Sequence, residues 1–477
     1  MGKEYGALTL MKWLKRSLPL VVVSSTVLCS GGQSWDPPAI TVHPSHEKAV
    51  HDPAYQAKML VWGHELFVTK FNILDGAGRP GATGDSKPTV RPVDHNLGFT
   101  RISGPDANSC FGCHNEPRAG GSGEFDSNVF VGAQFSDPPI LSSAAAGTSD
   151  RNTPSIFGTG AIEMLAREIT SELLAERATA VRSAAQRAHS VSMPLKSKGI
   201  SYGMITARPD GTVDETGIEG IDADLVVKPF GWKGVVISLR EFTINALNQH
   251  HGMEAIERFG WERTGRRDFD DDGVEVEFTV GQTTALTLFQ ASLPAPGRTF
   301  GTTEREQQQI QRGESLFAKI GCSRCHVPQL TLNERDYAEP NPYNRPGNLL
   351  PSDGLGTIRI HLRAAPRTGL TVDSSGKLVV HAFSDLKRHR ICDDTDPFLC
   401  NERLRQDNVP TDDFITPRLW DLRTSAPYGH RGDCTTLSEI IRHHAGEATV
   451  EGTAFMGLTD NEKRELIAFL RSLGSER

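Results

Sequence analysis

The sequence predicts a mainly α-helical fold of two similar domains, with long loops and a small β-hairpin insertion. Three observations lead to this prediction. Two Cys-x-x-Cys-His pentapeptides occupy 110–114 and 322–326, and segments before both have apolar residues at the helical period of 3.6. In addition, the 477 residues include 46 glycines and 28 prolines but only 37% hydrophobic residues, a composition typical of loop-rich chains with modest apolar cores.

The two pentapeptides predict covalent haem attachment. Two thiols at this spacing reach the two vinyl groups of a haem, and the histidine that follows becomes an axial ligand of the iron. A zinc site would need four ligands, usually from paired Cys-x-x-Cys elements, and neither pentapeptide has a second pair nearby. We therefore predict two c-type haems, with His114 and His326 as proximal ligands and four attachment thiols: Cys110, Cys113, Cys322 and Cys325.

The N-terminus has the pattern of an export signal, which agrees with haem c assembly outside the cytoplasm. Three basic residues at 12, 15 and 16 precede the apolar run Leu18–Leu28, and small residues follow at 30–32. This pattern predicts a signal peptide over 1–32 and a soluble, periplasmic mature protein. Three alternatives stay open here: a start at Met11, a lipoprotein site at Cys29 and an uncleaved anchor.

Charge and hydropathy limit the classes of partner. The chain has a net charge of −8 and a pI of about 6.1, which argues against nucleic acid and anionic membrane surfaces. The run Leu18–Leu28 is too short to span a bilayer, so we expect no stable membrane insertion.

The C-terminal part has the two helices that a cytochrome c domain needs. One apolar face precedes Cys322, and a second apolar helix follows the capping box of Thr459 and Glu462 near the C-terminus. The predicted face residues are Ile310, Gly313, Phe317 and Ile320 in the first helix, and Leu466, Phe469, Leu470 and Leu473 in the second. In cytochrome c folds the first and last helices cross at a small residue and an aromatic one, and Gly313 and Phe469 suit these positions by resemblance.

The N-terminal part follows the same plan less regularly. Trp62, Leu66 and Phe67 predict a helix before the first pentapeptide, and 162–187 predicts a long helix rich in alanine, glutamate and arginine. Within 201–227, a Pro-Asp-Gly turn at 209–211 separates two β-prone runs and predicts the hairpin. The turn at 295–297 is the predicted boundary between an N-terminal haem domain with insertions (33–297) and a C-terminal cytochrome c domain (298–477).

Several long motifs resemble the bacterial di-haem cytochrome c peroxidase superfamily. The strongest are Thr416–Gly432, with Thr-Pro-Arg-Leu-Trp and Ala-Pro-Tyr-Gly-His, and the following Thr-Leu-Ser-Glu-Ile-Ile at 436–441. Ser103–Cys110, Asp224–Lys233 and His444–Ala448 are similar to its di-haem oxidoreductase branch, also called thiol oxidoreductase-like. The resemblance covers nearly the whole mature chain. It implies two cytochrome c-like haem domains, one relaying electrons and the other meeting the oxidant.

The sixth ligand decides the role of each haem, because a six-coordinate haem carries electrons and a five-coordinate one binds peroxide. In the superfamily the distal ligand of the C-terminal haem lies fourteen residues after the histidine of the Pro-Tyr-x-His motif. That histidine is His430 in this chain, so the resemblance implies His444 as the ligand. Relatives have methionine or tyrosine at that position, so this chain would depart toward bis-histidine ligation. His443, Met456 and no sixth ligand are the alternatives.

The N-terminal haem has no partner at an equivalent place, since no histidine or methionine lies between His114 and Met164. We therefore predict a five-coordinate or weakly ligated haem at which the oxidant binds. Three histidines keep bis-histidine ligation open as the alternative: His189, His250 and His251.

Trp232 resembles the tryptophan that lies between the haems of these peroxidases and relays electrons or holds a radical. Peroxide cleavage also needs a group that moves a proton, and the family has glutamine and glutamate about ten and twenty residues after the tryptophan. Here Phe242 and Gly252 stand at those positions. The candidates that remain are Glu254, Glu163 and His251.

Two further features concern metal and thiols. Three aspartates before Gly273 resemble the first half of a calcium loop, Asp268, Asp270 and Asp272. Position twelve is Thr279 instead of glutamate, so a solvated acidic turn is the alternative, and the family also allows a calcium between the haems. Cys392 and Cys400 are expected to form a disulfide in an oxidising compartment, which leaves Cys434 unpaired, and His389 has no assigned role.

These inferences combine into one functional expectation. The chain is expected to be a periplasmic di-haem c-type oxidoreductase that reduces hydrogen peroxide or a related oxidant. Its electrons would come from a small donor protein, a cytochrome c or a cupredoxin, at the C-terminal haem. The alternatives are a non-catalytic electron-transfer cytochrome, a haem enzyme that oxidises side chains of a partner protein, and a thiol oxidoreductase.

Overall fold

Helices form the larger part of the regular structure. The computed structural model describes residues 36–78, 107–123, 126–129, 149–269, 272–365, 368–402 and 405–474. These residues include α1 (His46–His51), α2 (Pro53–Val68), α3 (Thr159–Arg187), α4 (Leu239–Ala246), α5 (Ile256–Phe259), α6 (Trp261–Thr264), α7 (Val280–Ser292), α8 (Glu304–Lys319), α9 (Leu437–Arg442), α10 (Thr449–Met456) and α11 (Asp460–Ser472). A π-helical turn, Leu247–His251, continues α4.

The strands are short and antiparallel. They are β1 (Asp126–Val129), β2 (Ser149–Asn152), β3 (Val191–Ser197), β4 (Ile200–Ala207), β5 (Val213–Asp214), β6 (Leu330–Leu332), β7 (Asp336–Glu339), β8 (Ile358–His361), β9 (Leu370–Val372), β10 (Leu378–Val380), β11 (Arg388–Arg390) and β12 (Asp413–Ile415). In the described part of the chain they pair as β1–β2, β3–β4–β5, β6–β10–β9, β7–β8 and β11–β12. The prediction of a mainly helical fold with one hairpin therefore missed most of the sheet content.

The predicted hairpin is present, but it is the smaller part of its sheet. Strand β5 pairs with the end of β4 at Thr206–Asp214 and Ala207–Val213, across the predicted Pro-Asp-Gly turn. The longer pairing joins β4 to β3, from Val191–Ala207 to Ser197–Ile200. The sequence analysis did not predict β3.

Two pairs of helices repeat one packing arrangement. Helix α8 crosses α11 at Gly313, where a Cβ atom would lie 2.0 Å from the Glu465 carbonyl oxygen and 2.8 Å from the Phe469 Cβ. The predicted crossing of Gly313 and Phe469 is thus confirmed, as is the Thr459–Glu462 capping box that begins α11. Helix α2 crosses α7 in the same way at Gly63, 2.1 Å from the Ala285 carbonyl oxygen and 2.6 Å from the Phe289 Cβ.

A buried ionic network joins residues that are far apart in sequence. The fully buried Arg240 guanidinium lies 2.8 Å from the Glu257 carboxylate and 2.7 Å from the Glu339 carboxylate, and it also donates to Thr284 Oγ1 at 3.1 Å. The described residues from Pro38 onward form one compact unit. No helix among the described residues combines the length and apolarity needed to cross a bilayer, and the predicted signal peptide lies outside those residues.

Candidate functional site

The two Cys-x-x-Cys-His pentapeptides adopt the same local structure. Each begins with a 3-10 turn, Cys110–Gly112 and Cys322–Arg324. In both, the histidine amide donates to the carbonyl of the first cysteine at 3.0 Å, His114 to Cys110 and His326 to Cys322. Burial raises the pKa of Cys110 and of Cys322 to about 12. The same turn therefore presents the thiol pair and the histidine at both places.

Both histidines are held in the orientation that a metal ligand needs. The Nδ1 of His114 faces the Gly121 carbonyl oxygen at 3.3 Å, and the Nδ1 of His326 faces the Phe383 carbonyl oxygen at 3.0 Å. Because a carbonyl only accepts, Nδ1 carries the proton and Nε2 keeps its lone pair. Burial lowers the pKa of both histidines to about 4, so they are neutral near pH 7, as ligation requires.

A pair of phenylalanines packs beside each pentapeptide histidine, in the same arrangement at both sites. The ring centroids of Phe67 and His114 are 6.4 Å apart, and those of Phe317 and His326 are also 6.4 Å apart. Phe67 in turn contacts Phe289 at 5.3 Å, and Phe317 contacts Phe469 at 5.4 Å. The crossed helix pairs α2–α7 and α8–α11 thus pack their aromatic residues toward the two pentapeptides.

Besides His326, three described histidines line the C-terminal cavity: His389, whose ring nitrogens face two carboxylates, His430, whose Nε2 faces the Asn401 side chain, and His444. Cys322, Cys325, His326 and His444 all line it. His444 Nδ1 donates to the Ile440 carbonyl oxygen at 2.8 Å, which leaves Nε2 as the nitrogen available to a metal. Burial lowers the pKa of His444, and this also favours the neutral imidazole.

The structure separates His444 from the two alternatives considered for its role. His443 Nδ1 lies 2.9 Å from the Asp396 carboxylate, and its ring stacks on Phe398 with centroids 3.8 Å apart. Met456 is 48% exposed at the end of α10. Neither His443 nor Met456 is among the described residues that line the C-terminal cavity, whereas His444 is.

The N-terminal cavity is more polar and contains His250. Cys110, Cys113 and His114 line it, together with His250 and His251 from the π-helical turn. His251 is buried, with Nδ1 2.7 Å from the Ala107 carbonyl oxygen and Nε2 3.7 Å from Cys110 Sγ. The third predicted alternative, His189, is exposed and lies 2.9 Å from the Ser190 carbonyl oxygen, so it is not brought to the cavity.

Trp232 lies between the two cavities. It lines both of them, and its Nε1 donates to the Asn152 carbonyl oxygen at 2.8 Å. The Asn152 side-chain amide donates to the Pro427 carbonyl oxygen at 2.6 Å, which ties this contact to the loop before His430. The tryptophan is therefore fixed at the partition between the sites.

The structure does not bring two of the predicted catalytic carboxylates to either cavity. Glu163 is completely buried, where it accepts from the Leu239 amide and the Asn341 side chain at 2.8 Å and pairs with Arg167. Glu254 is also buried, and its amide donates to the Glu277 carboxylate at 2.5 Å. Neither residue is among the described residues that line the cavities.

The predicted calcium loop is only partly described. Asp268 accepts from the Asp272 amide at 3.3 Å and the Gly273 amide at 2.8 Å, while Asp270 lies outside the described residues. The calcium prediction therefore stays a prediction. The predicted Cys392–Cys400 disulfide is confirmed, with a Cα–Cα distance of 5.6 Å, and Cys434 is a buried free thiol.

One ionisable cluster beside the C-terminal cavity was not predicted. His389 lies 2.8 Å from the Asp385 carboxylate and 2.8 Å from the Glu447 carboxylate, and its ring, the Asp385 carboxylate and Cys325 Sγ lie together. Burial works against a charged ring, but hydrogen bonds to Asp385, Cys325 and Glu447 raise the pKa of His389 to about 11. The four-residue spacing of Asp385 and His389 was the available signal for this pair.

This donor set fits a covalently attached haem. Each pentapeptide places two thiols and a neutral imidazole at the wall of one cavity, and aromatic residues of the crossed helices pack beside it. Such a group supplies electron transfer and, where an axial position is open, the reduction of a bound oxidant.

Comparisons with known proteins give a partial match. No family model matches the chain. The chain is 30% identical over 173 residues to the cytochrome-c peroxidase IdrP1 of Denitromonas iodatirespirans, a match that covers 35% of this chain and 40% of that protein. It is 26% identical over 218 residues to IdrP2 of the same organism, covering 45% and 52%. The chain thus spans about half the length of these relatives.

A search of solved structures adds a weaker likeness. The chain is similar to a MauG-like protein associated with microbial copper homeostasis, with 16% identity and a TM-score of 0.29 over 57% of this chain and 79% of that one. A TM-score this low carries no conclusion about the fold. The sequence matches make the chain a distant relative of cytochrome-c peroxidases, related at the level of that superfamily.

Proposed function

We propose that this chain is a di-haem c-type oxidoreductase of the periplasm that reduces hydrogen peroxide or a related oxidant. Electrons from a small cytochrome c or cupredoxin enter at the C-terminal site, pass Trp232 and reach the oxidant at the N-terminal site. The observation that carries the proposal is that Trp232 lines both cavities, each of which has its own Cys-x-x-Cys-His turn. The distant cytochrome-c peroxidase relatives support the same reaction class.

The residues assign different tasks to the two sites. At the C-terminal site, His326 and His444 line one cavity, and each has its Nδ1 bound to a backbone carbonyl. Two imidazoles with free Nε2 atoms suit an iron with both axial positions filled, which exchanges electrons with little rearrangement. At the N-terminal site His114 and His251 both have Nδ1 at a backbone carbonyl, but the Nε2 of His251 lies 3.7 Å from Cys110 Sγ. That site is therefore the one proposed to admit the oxidant.

Electron paramagnetic resonance of the purified holoprotein tests the proposal directly. Spectra are recorded fully oxidised and half-reduced, before and after hydrogen peroxide. We expect a high-spin ferric signal that peroxide consumes, next to a low-spin signal from the C-terminal site. Two low-spin signals that peroxide leaves unchanged would instead identify a non-catalytic electron-transfer cytochrome.

Replacement of Trp232 by phenylalanine tests the relay. The variant removes the indole and its hydrogen bond to Asn152, so we expect electron transfer between the sites to slow by at least about tenfold, equal to about 1.4 kcal/mol of barrier. Stopped-flow absorption of the half-reduced protein measures this rate. Trp420→Phe is the matched control, because Trp420 is buried and bonded to the His381 carbonyl oxygen but lines only the C-terminal cavity. Equal rates in both variants would contradict the relay.

A further inference from the structure

The two cations that line the C-terminal cavity differ in their charge partners. Among the described residues these cations are His389 and Arg418, because burial lowers the pKa of the other three histidines and leaves them neutral. His389 lies 2.8 Å from the Asp385 carboxylate and 2.8 Å from the Glu447 carboxylate. No carboxylate in the described part of the chain pairs with Arg418.

Arg418 is held at the cavity wall by backbone and side-chain hydrogen bonds. The amide of the next residue, Leu419, donates to the Ala382 carbonyl oxygen at 3.2 Å. The half-buried Arg418 side chain donates from Nη2 to the Ser155 carbonyl oxygen at 2.9 Å, and Ser155 also lines this cavity. A guanidinium has five N–H donors, so this contact leaves most of them for a ligand.

The surroundings of Arg418 favour the binding of an anion. Burial lowers the pKa of Arg418 to about 10, and no described carboxylate offsets this effect. Burial also disfavours the charge of Arg240, but Glu257 and Glu339 outweigh it and raise the pKa of that guanidinium. A guanidinium stays protonated near pH 7, so Arg418 places an uncompensated positive charge in the cavity, which an anionic ligand would stabilise.

We propose that Arg418 binds a propionate carboxylate of the haem in the C-terminal cavity. This role rests on the c-type haem proposed above. A haem bonded to Cys322 and Cys325 brings two propionate carboxylates, and the planar guanidinium matches a carboxylate with two parallel hydrogen bonds. The ion pair neutralises one negative charge of the site and so disfavours the oxidised, more positive iron. Arg418 therefore raises the affinity of the C-terminal site for an electron.

The test compares Arg418→Gln and Arg418→Lys with the control Arg335→Gln, all as holoprotein. Arg335 also donates to a backbone carbonyl, that of Gly376, but is not among the described residues that line either cavity. Resonance Raman spectra follow the propionate bending band, whose frequency depends on hydrogen bonds to the carboxylate, and a redox titration followed by absorption gives the reduction potential.

In Arg418→Gln we expect the propionate band to shift. The ratio of reduced to oxidised C-terminal haem at a fixed potential is expected to fall at least tenfold, which equals a reduction potential about 59 mV lower. Arg418→Lys keeps the charge but loses the fork of donors, so its band should shift while its potential changes less. Arg335→Gln should match the wild type in both measurements.

An unchanged propionate band in Arg418→Gln would show that Arg418 does not bind the carboxylate, even if the potential falls. If Arg418→Gln does not assemble, Arg418→Lys decides, because one ammonium cannot replace the two parallel bonds, and a band at the wild-type frequency would refute the contact. A band that shifts as expected, together with a wild-type high-spin signal that peroxide leaves unchanged, would support the role of Arg418 and refute the peroxidase function.

Discussion

The role open to a single residue in this protein depends on the hydrogen bonds that its side chain already makes. His443 and His444 are adjacent in sequence, yet Asp396 and Phe398 hold the first while a helix carbonyl orients the second toward a cavity. The choice between them depends on contacts with residues nearly fifty positions away, which no local pattern encodes. Spacing from His430 nevertheless selected the residue that lines the cavity.

His444→Ala is predicted to convert the proposed C-terminal haem from low spin to high spin. Among the four described histidines that line that cavity, only His326 and His444 have Nδ1 bound to a backbone carbonyl, which leaves Nε2 for the iron. Absorption and paramagnetic resonance spectra of the holoprotein measure this change. His443→Ala is the matched control and should keep the low-spin spectrum. A low-spin spectrum that survives in His444→Ala, or is lost in His443→Ala, would refute the assignment.

The predicted catalytic carboxylates show that a residue's distant hydrogen-bond partners cannot be inferred from the sequence around it. Glu163 was a candidate from the sequence, but its partners Tyr337 and Asn341 lie on a different segment. A buried carboxylate is accommodated only when distant donors satisfy it. The motif around Trp232, in contrast, is local, and the indole does lie between the two cavities.

At the scale of elements, the two crossed helix pairs are a structural duplication. Gly63 precedes Phe67 by four residues, as Gly313 precedes Phe317, and each glycine faces a phenylalanine on the second helix, Phe289 or Phe469. The sequence analysis found the C-terminal pair because its first helix directly precedes the pentapeptide. It missed Gly63 because a long insertion separates α2 from Cys110, although the same four-residue spacing was present.

Gly63→Ala and Gly313→Ala are each predicted to lower the free energy of unfolding by about 1–3 kcal/mol, because the added methyl would overlap a backbone carbonyl and force the helices apart. Urea denaturation followed by circular dichroism measures the change. Gly457→Ala is the control, since its methyl would meet no atom closer than 3.6 Å and its φ of −75° suits alanine. If Gly63→Ala or Gly313→Ala lowered the free energy of unfolding no more than Gly457→Ala does, the close helix crossing at that glycine would not be required.

At the scale of the whole molecule, the two parts of the chain are linked through buried charges. Arg240 belongs to the N-terminal part, whereas Glu339 lies beyond the predicted boundary at 297. The Arg167 guanidinium likewise donates to the Ala338 carbonyl oxygen at 2.5 Å. The boundary itself stays a prediction, but contacts of this kind indicate that the parts do not unfold independently. Sequence patterns did not reveal the link, because its members have no common motif.

Arg240→Met is predicted to cost about 3–5 kcal/mol of stability, because Glu257 and Glu339 would stay buried without their cation. Calorimetry of the holoprotein should show one transition at a lower temperature, with the absorption changes of both proposed haem sites following it together. Arg267→Met breaks an exposed pair with Glu275 at 3.7 Å and should cost at most about 1 kcal/mol. Two separated transitions, or equal losses in both variants, would contradict the link.

The half-buried thiols of the two pentapeptides bear on the order in which this protein would mature. Burial raises the pKa of Cys110 and of Cys322 to about 12, and the thiolate is the reactive form of a cysteine. In the folded chain these sulfurs are therefore poor nucleophiles. If haem is attached to them as proposed, its attachment is expected to precede folding.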